Sequence, residues 1–215
     1  MNSLDYYVTF VRHGESQGNE QNRFQGQADY PLTEKGRAQA HALAAYWKAE
    51  GVTFDRCITS PLLRARETAE ILCAALACPL DVDPLWMEID NGRLAGLREE
   101  EMQENLPNRL AMFTPLGETG ESCFQLYLRA GQAIQAVLNR PPGRYLIVTH
   151  GGTLTMGMYV LLGISPAVYP CGPRLLFHNT TFAEFVYETK RHAWRLLRFD
   201  RPHWSIKNDR PDDLL

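Results

Sequence analysis

Two short apolar runs, each ending at a histidine, constrain the fold of this chain more than any other feature of its sequence. Tyr6–Val11 is followed by Arg12 and His13, and Tyr145–Thr149 is followed by His150. Short, nearly continuous apolar runs are typical of strands buried on both faces of a parallel sheet. The groups that follow such strands are expected at the carboxyl edge of the sheet, where open α/β folds usually place their sites.

Between these runs the apolar residues recur with the period of a helix. Thr33 is a predicted N-cap, and Ser60 is predicted to cap a second helix with Pro61 at its first position. A third helix follows residue 120, and Gly151–Gly152 is predicted to begin a fourth. The apolar faces are Ala40, Leu43, Ala44 and Trp47 in the first helix, Ala65, Ala69, Leu72 and Leu76 in the second, and Cys123, Tyr127, Ala130, Ile134 and Val137 in the third.

Further strands complete an alternating pattern. Cys57–Thr59 and Pro79–Val82 are short predicted strands, and the tail from Thr180 to Phe199 is predicted to form two more. Alternating strands and helices predict an α/β fold, namely a three-layer α/β/α sandwich with a mostly parallel sheet and helices on both faces. The 215 residues suit one domain, 1–215. The irregular stretch at about 85–120 is predicted to be a lid or insert.

The composition excludes several classes of protein. With 45% hydrophobic and 22% charged residues the chain resembles an ordinary soluble protein, and its net charge of −3 offers no positive field to a nucleic acid. No stretch approaches the roughly 18 apolar residues of a membrane helix, so no membrane partner is expected. No signal peptide is expected before a strand that begins near residue 6. Five scattered cysteines favour reduced thiols in a cytoplasmic protein.

Arginine and histidine together at a strand end suggest phosphoryl transfer. Imidazole can accept a group covalently, and the guanidinium fork matches a phosphoryl group through two parallel hydrogen bonds. Arg64 and His150 reach the same edge as Arg12 and His13 if their strands are neighbours, and these four side chains suit the oxygens of a phosphoryl group in flight. The arginine and histidine charges already offset those of a phosphate, so neither a metal nor a cofactor is predicted, and no zinc motif or Walker loop occurs.

A competing motif lies in the same segment. Gly14–Gly18 fits G-x-S-x-G, the nucleophile elbow of α/β-hydrolases, with Ser16 as the nucleophile. That elbow needs several strands before it, and only fifteen residues precede Ser16. The serine-hydrolase interpretation is therefore disfavoured.

The candidate residues lie in short motifs that follow one another in a fixed order. These motifs are Arg12–Ser16 with Asn19; Arg23–Gly26, Asp29 and Pro31–Thr33; Ser60–Ala65; Glu88 with Gly92 and Gly96; Gly120–Ser122; and Thr149–Gly152. Together they resemble the signature of the histidine phosphatase superfamily, on its phosphoglycerate-mutase-like branch. The resemblance covers roughly Tyr6 to Leu162.

The resemblance implies a role for each candidate residue. His13 would be the nucleophile that becomes phosphorylated. Glu88, with Asp90 as the alternative, would protonate the leaving oxygen and then take a proton from water. The catalytic set is His13, Glu88, His150, Arg12 and Arg64. The residues implied around the substrate are Arg12, Asn19, Arg23, Gln25, Gly26, Arg64, His150 and Gly151.

Several positions depart from the mutase pattern. Mutases of this branch carry Arg and Tyr where this chain has Ile89 and Asn91, and His150 is followed here by Gly-Gly rather than Gly-Asn. Fewer cations in the predicted lid favour transfer to water, so the sequence predicts a phosphatase for a small phosphorylated metabolite. A cofactor-dependent phosphoglycerate mutase and a non-catalytic phosphate-binding module are the alternatives.

Other features leave substrate and assembly open. The common phosphatase loop has Trp-Glu where this chain has Leu94-Ala95. The lid arginines Arg93, Arg98 and Arg109 are either substrate contacts or solvated charges. The chain is expected to be a monomer or a homodimer. The remaining histidines, assigned to surface or structural positions, are His41, His178, His192 and His203.

Overall fold

A six-stranded sheet forms the centre of the molecule. The computed structural model describes residues 4–98, 100–101, 112–168, 173 and 175–202. The strands are β1 (Tyr6–Arg12), β2 (Arg56–Thr59), β3 (Leu80–Val82), β4 (Arg144–Thr149), β5 (Phe182–Glu188) and β6 (Ala193–Asp200). Both apolar runs, both short predicted strands and the predicted tail pair are therefore strands.

The sheet is mostly parallel, as predicted. Its order is β3-β2-β4-β1-β5-β6. The first four strands pair in parallel, and β5 and β6 are antiparallel. Arg12 pairs with Thr149, and Thr59 with Val148, so β1, β4 and β2 end at nearly the same level. The residues that follow these three strands consequently meet at one edge.

Helices cover both faces of the sheet and complete the predicted three-layer sandwich. They are α1 (Gln17–Glu20), α2 (Glu34–Ala49), α3 (Leu63–Leu76), α4 (Cys123–Leu138) and α5 (Gly151–Leu162). Because successive strand residues point to opposite faces, Phe10 packs with α4 and α5 whereas Val11 packs with α2 and α3. Helix residues in these clusters include Ile134, Val137, Leu154 and Met158 on one face, and Leu43, Trp47, Ala69 and Leu72 on the other.

The two predicted N-caps, Thr33 and Ser60, have different outcomes. Thr33 caps α2, since its side chain accepts a hydrogen bond from the Gly36 backbone N–H. The prediction that Ser60 caps the next helix is wrong. Helix α3 begins at Leu63, and the backbone N–H of that residue donates to the Asp29 carboxylate at 2.7 Å. Asp29, which lies in another loop, therefore stabilises the start of α3, and the Ser60 side chain does not cap this helix.

The predicted lid is described only in part. Two 3₁₀ turns, Pro84–Trp86 and Gly92–Leu94, lie in or beside it. Residues 99 and 102–111 lie outside the described part of the chain, and Arg109 is among them. The lid and the domain limits of 1–215 stay predictions.

The composition led to two expectations, one about the cysteines and one about membrane-spanning helices. Cys57, Cys73, Cys78 and Cys123 are buried free thiols, and Cys171 lies outside the described residues. Within the described segments, no helix has both the length and the apolar character required to span a bilayer.

Candidate active site

His13 is positioned directly after β1 and is buried. Its Nδ1 lies 2.7 Å from the Gly14 carbonyl oxygen. A carbonyl can only accept, so Nδ1 carries the proton and Nε2 keeps its lone pair. Burial, with the charges of Arg64 and Arg12, holds the pKa of His13 well below its usual value, although the bond to Gly14 opposes this shift. His13 is therefore a neutral imidazole with Nε2 available as a nucleophile.

The loop after His13 is fixed by a close backbone approach. A Cβ on Gly14 would lie 2.4 Å from the carbonyl oxygen of Gly36, and one on Gly36 would lie 2.0 Å from that of Glu15. Only glycine fits at both positions. The start of α2 therefore occupies the space beside Gly14.

Two buried guanidinium groups flank the histidines. Arg12 donates from Nη1 to the Phe177 carbonyl at 2.6 Å. Arg64, the second residue of α3, donates from Nη1 to Ala28 and from Nη2 to Gly26, at 3.0 and 2.7 Å. The Nε atoms of both arginines are buried without a hydrogen-bond partner among the described residues. Such unpaired donors fit the oxygens of a phosphoryl group.

Arg64 stays cationic at neutral pH despite its burial. Desolvation lowers the pKa of Arg64 to about 10, and the nearby carboxylates of Glu88 and Asp29 oppose this shift. A fixed positive charge in a buried site is suited to phosphate recognition.

His150 meets His13 across the paired ends of β4 and β1. The two ring centroids are 5.2 Å apart. Burial, followed by the charges of Arg64, His13, Arg12 and Arg129, holds the pKa of His150 well below its ordinary value. The structure thus brings together the four residues that the sequence assigned to the phosphoryl group, and their roles stay predictions.

Glu88 lies at the N-terminus of α5, next to His150. Its carboxylate accepts from the backbone N–H groups of Gly152 and Thr153, both at 3.0 Å, and of Ile89 at 2.9 Å. A helix N-terminus favours a negative charge. These bonds orient Glu88 beside the cationic cluster.

Asp90 is used differently. Its carboxylate accepts from the backbone N–H of Gly92 at 2.8 Å, and its own N–H lies 3.3 Å from the Glu121 carboxylate. Asp90 therefore stabilises a local turn. Of the two candidate acids, the geometry favours Glu88.

Three residues that were predicted to line the substrate brace the loop after β1. Asn19 Oδ1 accepts from the Ser16 backbone N–H at 3.1 Å. Gln25 Oε1 lies 2.7 Å from the Ser16 hydroxyl, and Arg23 donates to the Gly96 carbonyl at 2.7 Å. Ser16 is buried and caps α1, because its hydroxyl accepts from the Asn19 backbone N–H at 3.2 Å. Substrate contact by Asn19, Arg23 and Gln25 stays a prediction.

Two predicted glycines border the arginines. The carbonyl of Gly26 accepts from Arg64, and the backbone of Gly26 has a φ of +50°. A Cβ on Gly151 would lie 3.6 Å from Arg12 Nε, in ordinary contact. Gly26 thus holds a phosphate-binding candidate in place, and Gly151 adjoins another.

The lid arginines are separate from this cluster where they are described. Arg93 pairs with Glu118 at 2.5 Å, and both side chains are exposed. The Arg98 backbone N–H donates to Glu101 at 2.7 Å. Neither observation assigns these arginines to a substrate.

Three contacts around these residues were not predicted from the sequence. Asn179 donates from Nδ2 to the His13 carbonyl at 3.0 Å, and the Ser60 hydroxyl lies 2.8 Å from His150 Nε2. Arg129 donates to the backbone carbonyls of Met87 and Glu88, at 2.6 and 3.1 Å. The sequence analysis assigned no role to Asn179 or Arg129, and it placed Ser60 at a predicted helix cap and in the Ser60–Ala65 motif without a contact to His150.

Arg129 connects the loop that carries Glu88 to α4. It also forms two hydrogen bonds with the Glu121 carboxylate, at 2.8 and 2.7 Å, and both side chains are largely buried. A bidentate pair of this kind holds the guanidinium in one orientation. Glu88 is therefore held at its backbone carbonyl from α4 and at its carboxylate from α5.

We expect Arg129→Met to lower the free energy of unfolding by about 2–4 kcal/mol, because Glu121 then stays buried without its partner. Urea denaturation measures this change. Arg191→Met is the matched control, since Arg191 is exposed where it pairs with Glu188, and Glu188 keeps Arg195 as a second partner. Its loss should cost less than about 1 kcal/mol. Equal losses in the two variants would contradict the structural role of Arg129.

Two buried neutral histidines predict that stability falls in mild acid. Each unfolded histidine binds a proton as the pH drops through about 6.5, whereas folded His13 and His150 stay neutral. The free energy of unfolding should then fall by up to about 1.4 kcal/mol per pH unit for each histidine. Urea denaturation between about pH 7 and about pH 5 tests this. A variant with both histidines changed to Asn should have a flatter profile, and identical slopes would refute the assignment.

The described residues contain no group of three His, Cys, Asp or Glu side chains that could hold a metal ion. The donors present are cations and neutral imidazoles, which suit an anion. The arrangement is therefore suited to binding a phosphoryl group through protein charges.

The fold and this edge of the sheet define an α/β protein in which two histidines and two arginines are buried together. The profile of the histidine phosphatase superfamily (branch 1) matches residues 8–200. The chain belongs to this superfamily, which confirms the resemblance seen in its motifs.

Similar proteins carry different names. The chain is 42% identical over 189 residues to a probable phosphoglycerate mutase GpmB of Cronobacter sakazakii, covering 84% of this chain and 85% of that protein. Bacillus stearothermophilus YhfR is similar with a TM-score of 0.78 and 29% identity, covering 89% of this chain and 95% of that one. A mycobacterial glucosyl-3-phosphoglycerate phosphatase with VO3 has a TM-score of 0.77 and 25% identity, covering 92% and 100%.

Proposed function

We propose that this protein is a phosphomonoester hydrolase that acts through a phosphohistidine at His13, without a metal ion, on a small phosphorylated metabolite. The observation that carries the proposal is the 2.7 Å hydrogen bond between Nδ1 of buried His13 and the Gly14 carbonyl, which leaves Nε2 free, and the low pKa of His13 supports a lone pair there. Unpaired Nε–H groups of Arg12 and Arg64 supply charge-assisted donors for the phosphoryl oxygens.

The reaction has two steps. In the first, His13 Nε2 attacks phosphorus, the bond to the ester oxygen breaks, and protonated Glu88 gives its proton to that oxygen. In the second, the Glu88 carboxylate takes a proton from a water molecule that attacks phosphorus, and the N–P bond returns its electrons to His13. Arg12 and Arg64 stabilise the charge on the transferring group in both steps.

A phosphoglycerate mutase is the second candidate, because relatives of high identity bear that name. A mutase must hold a doubly charged phospho-acid while it returns the phosphoryl group. In the segment after Glu88, Ile89 packs on the apolar cluster of Cys123 and Leu126, and Asn91 is buried against Gly26. These neutral side chains occupy the positions where mutases of this branch carry Arg and Tyr, which favours transfer to water.

Phosphate release from a panel of esters, with EDTA present, tests the proposal. The panel includes 3-phosphoglycerate, glucosyl-3-phosphoglycerate and an aryl phosphate. A parallel assay follows interconversion of 2- and 3-phosphoglycerate with a bisphosphate primer. We expect phosphate release that EDTA does not abolish. Interconversion without release would establish the mutase, strict dependence on a divalent metal would refute this mechanism, and phosphate binding without turnover would indicate a binding module.

A further inference from the structure

We propose that the Ser60 hydroxyl sets the tautomer of His150, so that Nδ1 carries the imidazole proton. This Nδ1–H then donates a hydrogen bond to an oxygen of the bound phosphoryl group. Ser60 is then a positioning residue, because it acts through His150. This inference rests on the proposed function, since it concerns how the same site holds its phosphoryl group.

The sheet brings Ser60 and His150 together. Ser60 directly follows β2, and His150 directly follows the neighbouring strand β4. The Ser60 backbone N–H donates to the Val148 carbonyl at 3.2 Å, which extends the parallel pairing by one residue. Both residues are fully buried, and Ser60 Oγ lies 2.8 Å from His150 Nε2.

The hydrogen bonds of Ser60 decide which of the two atoms donates. Ser60 Oγ already accepts from the Leu62 backbone N–H at 3.2 Å. Among the residues that the structure describes, the Ser60 hydroxyl has no hydrogen-bond acceptor other than His150 Nε2. Buried hydroxyl groups rarely leave their proton unpaired, so Ser60 donates and Nε2 accepts.

The second ring nitrogen of His150 then carries the proton. The low pKa of His150 keeps the ring neutral, with one N–H. If Nε2 accepts, that N–H is at Nδ1. This atom is buried and has no partner among the described residues. Phosphoryl oxygens only accept hydrogen bonds, so Nδ1–H can bind one, whereas a lone pair there would repel it.

The two histidines of the site thereby take opposite roles. In His13 the Nδ1–H is bonded to Gly14, and the ring offers a lone pair to the ligand. In His150 the lone pair at Nε2 is bonded to Ser60, and the ring offers a proton. His13 attacks phosphorus, while His150 donates a hydrogen bond to an oxygen of the same phosphoryl group.

Nitrogen-15 NMR of the histidine rings in the whole native chain tests the tautomer directly. His150 is assigned from the resonances that disappear in His150→Asn. We expect a protonated Nδ1 and an unprotonated Nε2 in the resting protein, and a shift of the Nδ1 resonance on addition of inorganic phosphate. A proton on Nε2 would overturn the inference. This measurement needs no turnover, so it is independent of whether the protein hydrolyses any ester.

A matched pair of variants tests the role of Ser60. Ser60→Ala should mix the His150 tautomers and reduce kcat/KM by about 10- to 100-fold. Thr59→Val, which removes a buried hydroxyl bonded to the Val148 carbonyl at 3.1 Å, should leave the His150 spectrum unchanged. A Ser60→Ala protein with a native spectrum would refute the proposal. If that variant does not fold, the spectrum of the native chain still decides.

Discussion

His13→Asn is expected to abolish formation of a phosphorylated enzyme and to reduce ester hydrolysis by about 10⁴- to 10⁶-fold. The loss should be this large because His13 is the ring whose Nδ1–H is fixed by Gly14 and whose Nε2 is left to attack. Asparagine keeps a neutral polar side chain in the buried position but has no nucleophilic nitrogen.

The measurement is incorporation of labelled phosphate after rapid mixing with a labelled ester and an alkaline quench. His41→Asn is the matched control, because His41 is an exposed residue of α2 and its loss should change neither labelling nor turnover. Labelling of His13→Asn at the native level would place the phosphoryl group on another residue and end the proposed mechanism.

Glu88→Gln is expected to slow the first step by about 10²- to 10⁴-fold for alkyl phosphates, whose leaving oxygen needs a proton. For an aryl phosphate with a stable phenolate the first step should be nearly normal. The second step should be slow for both, because glutamine cannot take a proton from water. A burst of phenolate followed by slow turnover is therefore the expected trace with an aryl ester in stopped flow.

Asp90→Asn serves as the comparison, because Asp90 supports the turn at Gly92. This variant should show the same trace and the same turnover as the native protein. Equal losses for alkyl and aryl esters in Glu88→Gln would argue that Glu88 only supports the start of α5. A large, leaving-group-dependent loss in Asp90→Asn would transfer the acid role to Asp90.

The fold, and the cluster of Arg12, His13, Arg64 and His150, could be predicted from the sequence because both depend on local patterns. Apolar runs identify strands, and Arg12, His13 and His150 sit at strand ends whatever the details of packing. Arg64 could be placed at the same edge once β2 was taken as a parallel neighbour. These positions follow from the order of elements in a parallel sheet.

The supporting contacts could not be predicted in the same way. Ser60 reaches His150 across 90 positions of the chain, and Arg129 reaches Glu88 across 41. Ser60 also carried a misleading local signal, because serine before proline is a common helix start. The hydrogen bond at the start of α3 is instead accepted by the Asp29 carboxylate, which lies in another loop. Hydrogen bonds between distant segments leave no periodicity in a sequence.

In the proposed function, Arg64 couples phosphate binding to the position of the loop that carries Gly26 and Ala28. Two of its five N–H groups are committed to the carbonyls of Gly26 and Ala28, which leaves three for a ligand. Any substitution that displaces this loop would also rotate the guanidinium, although the substituted residue need not touch the ligand. Such changes should therefore weaken the binding of all phosphate esters alike. Discrimination between esters must then come from protein groups that contact the part of the ester beyond its phosphate. Under the proposed function, affinity for the phosphoryl group and selectivity for the rest of the ester therefore depend on different residues.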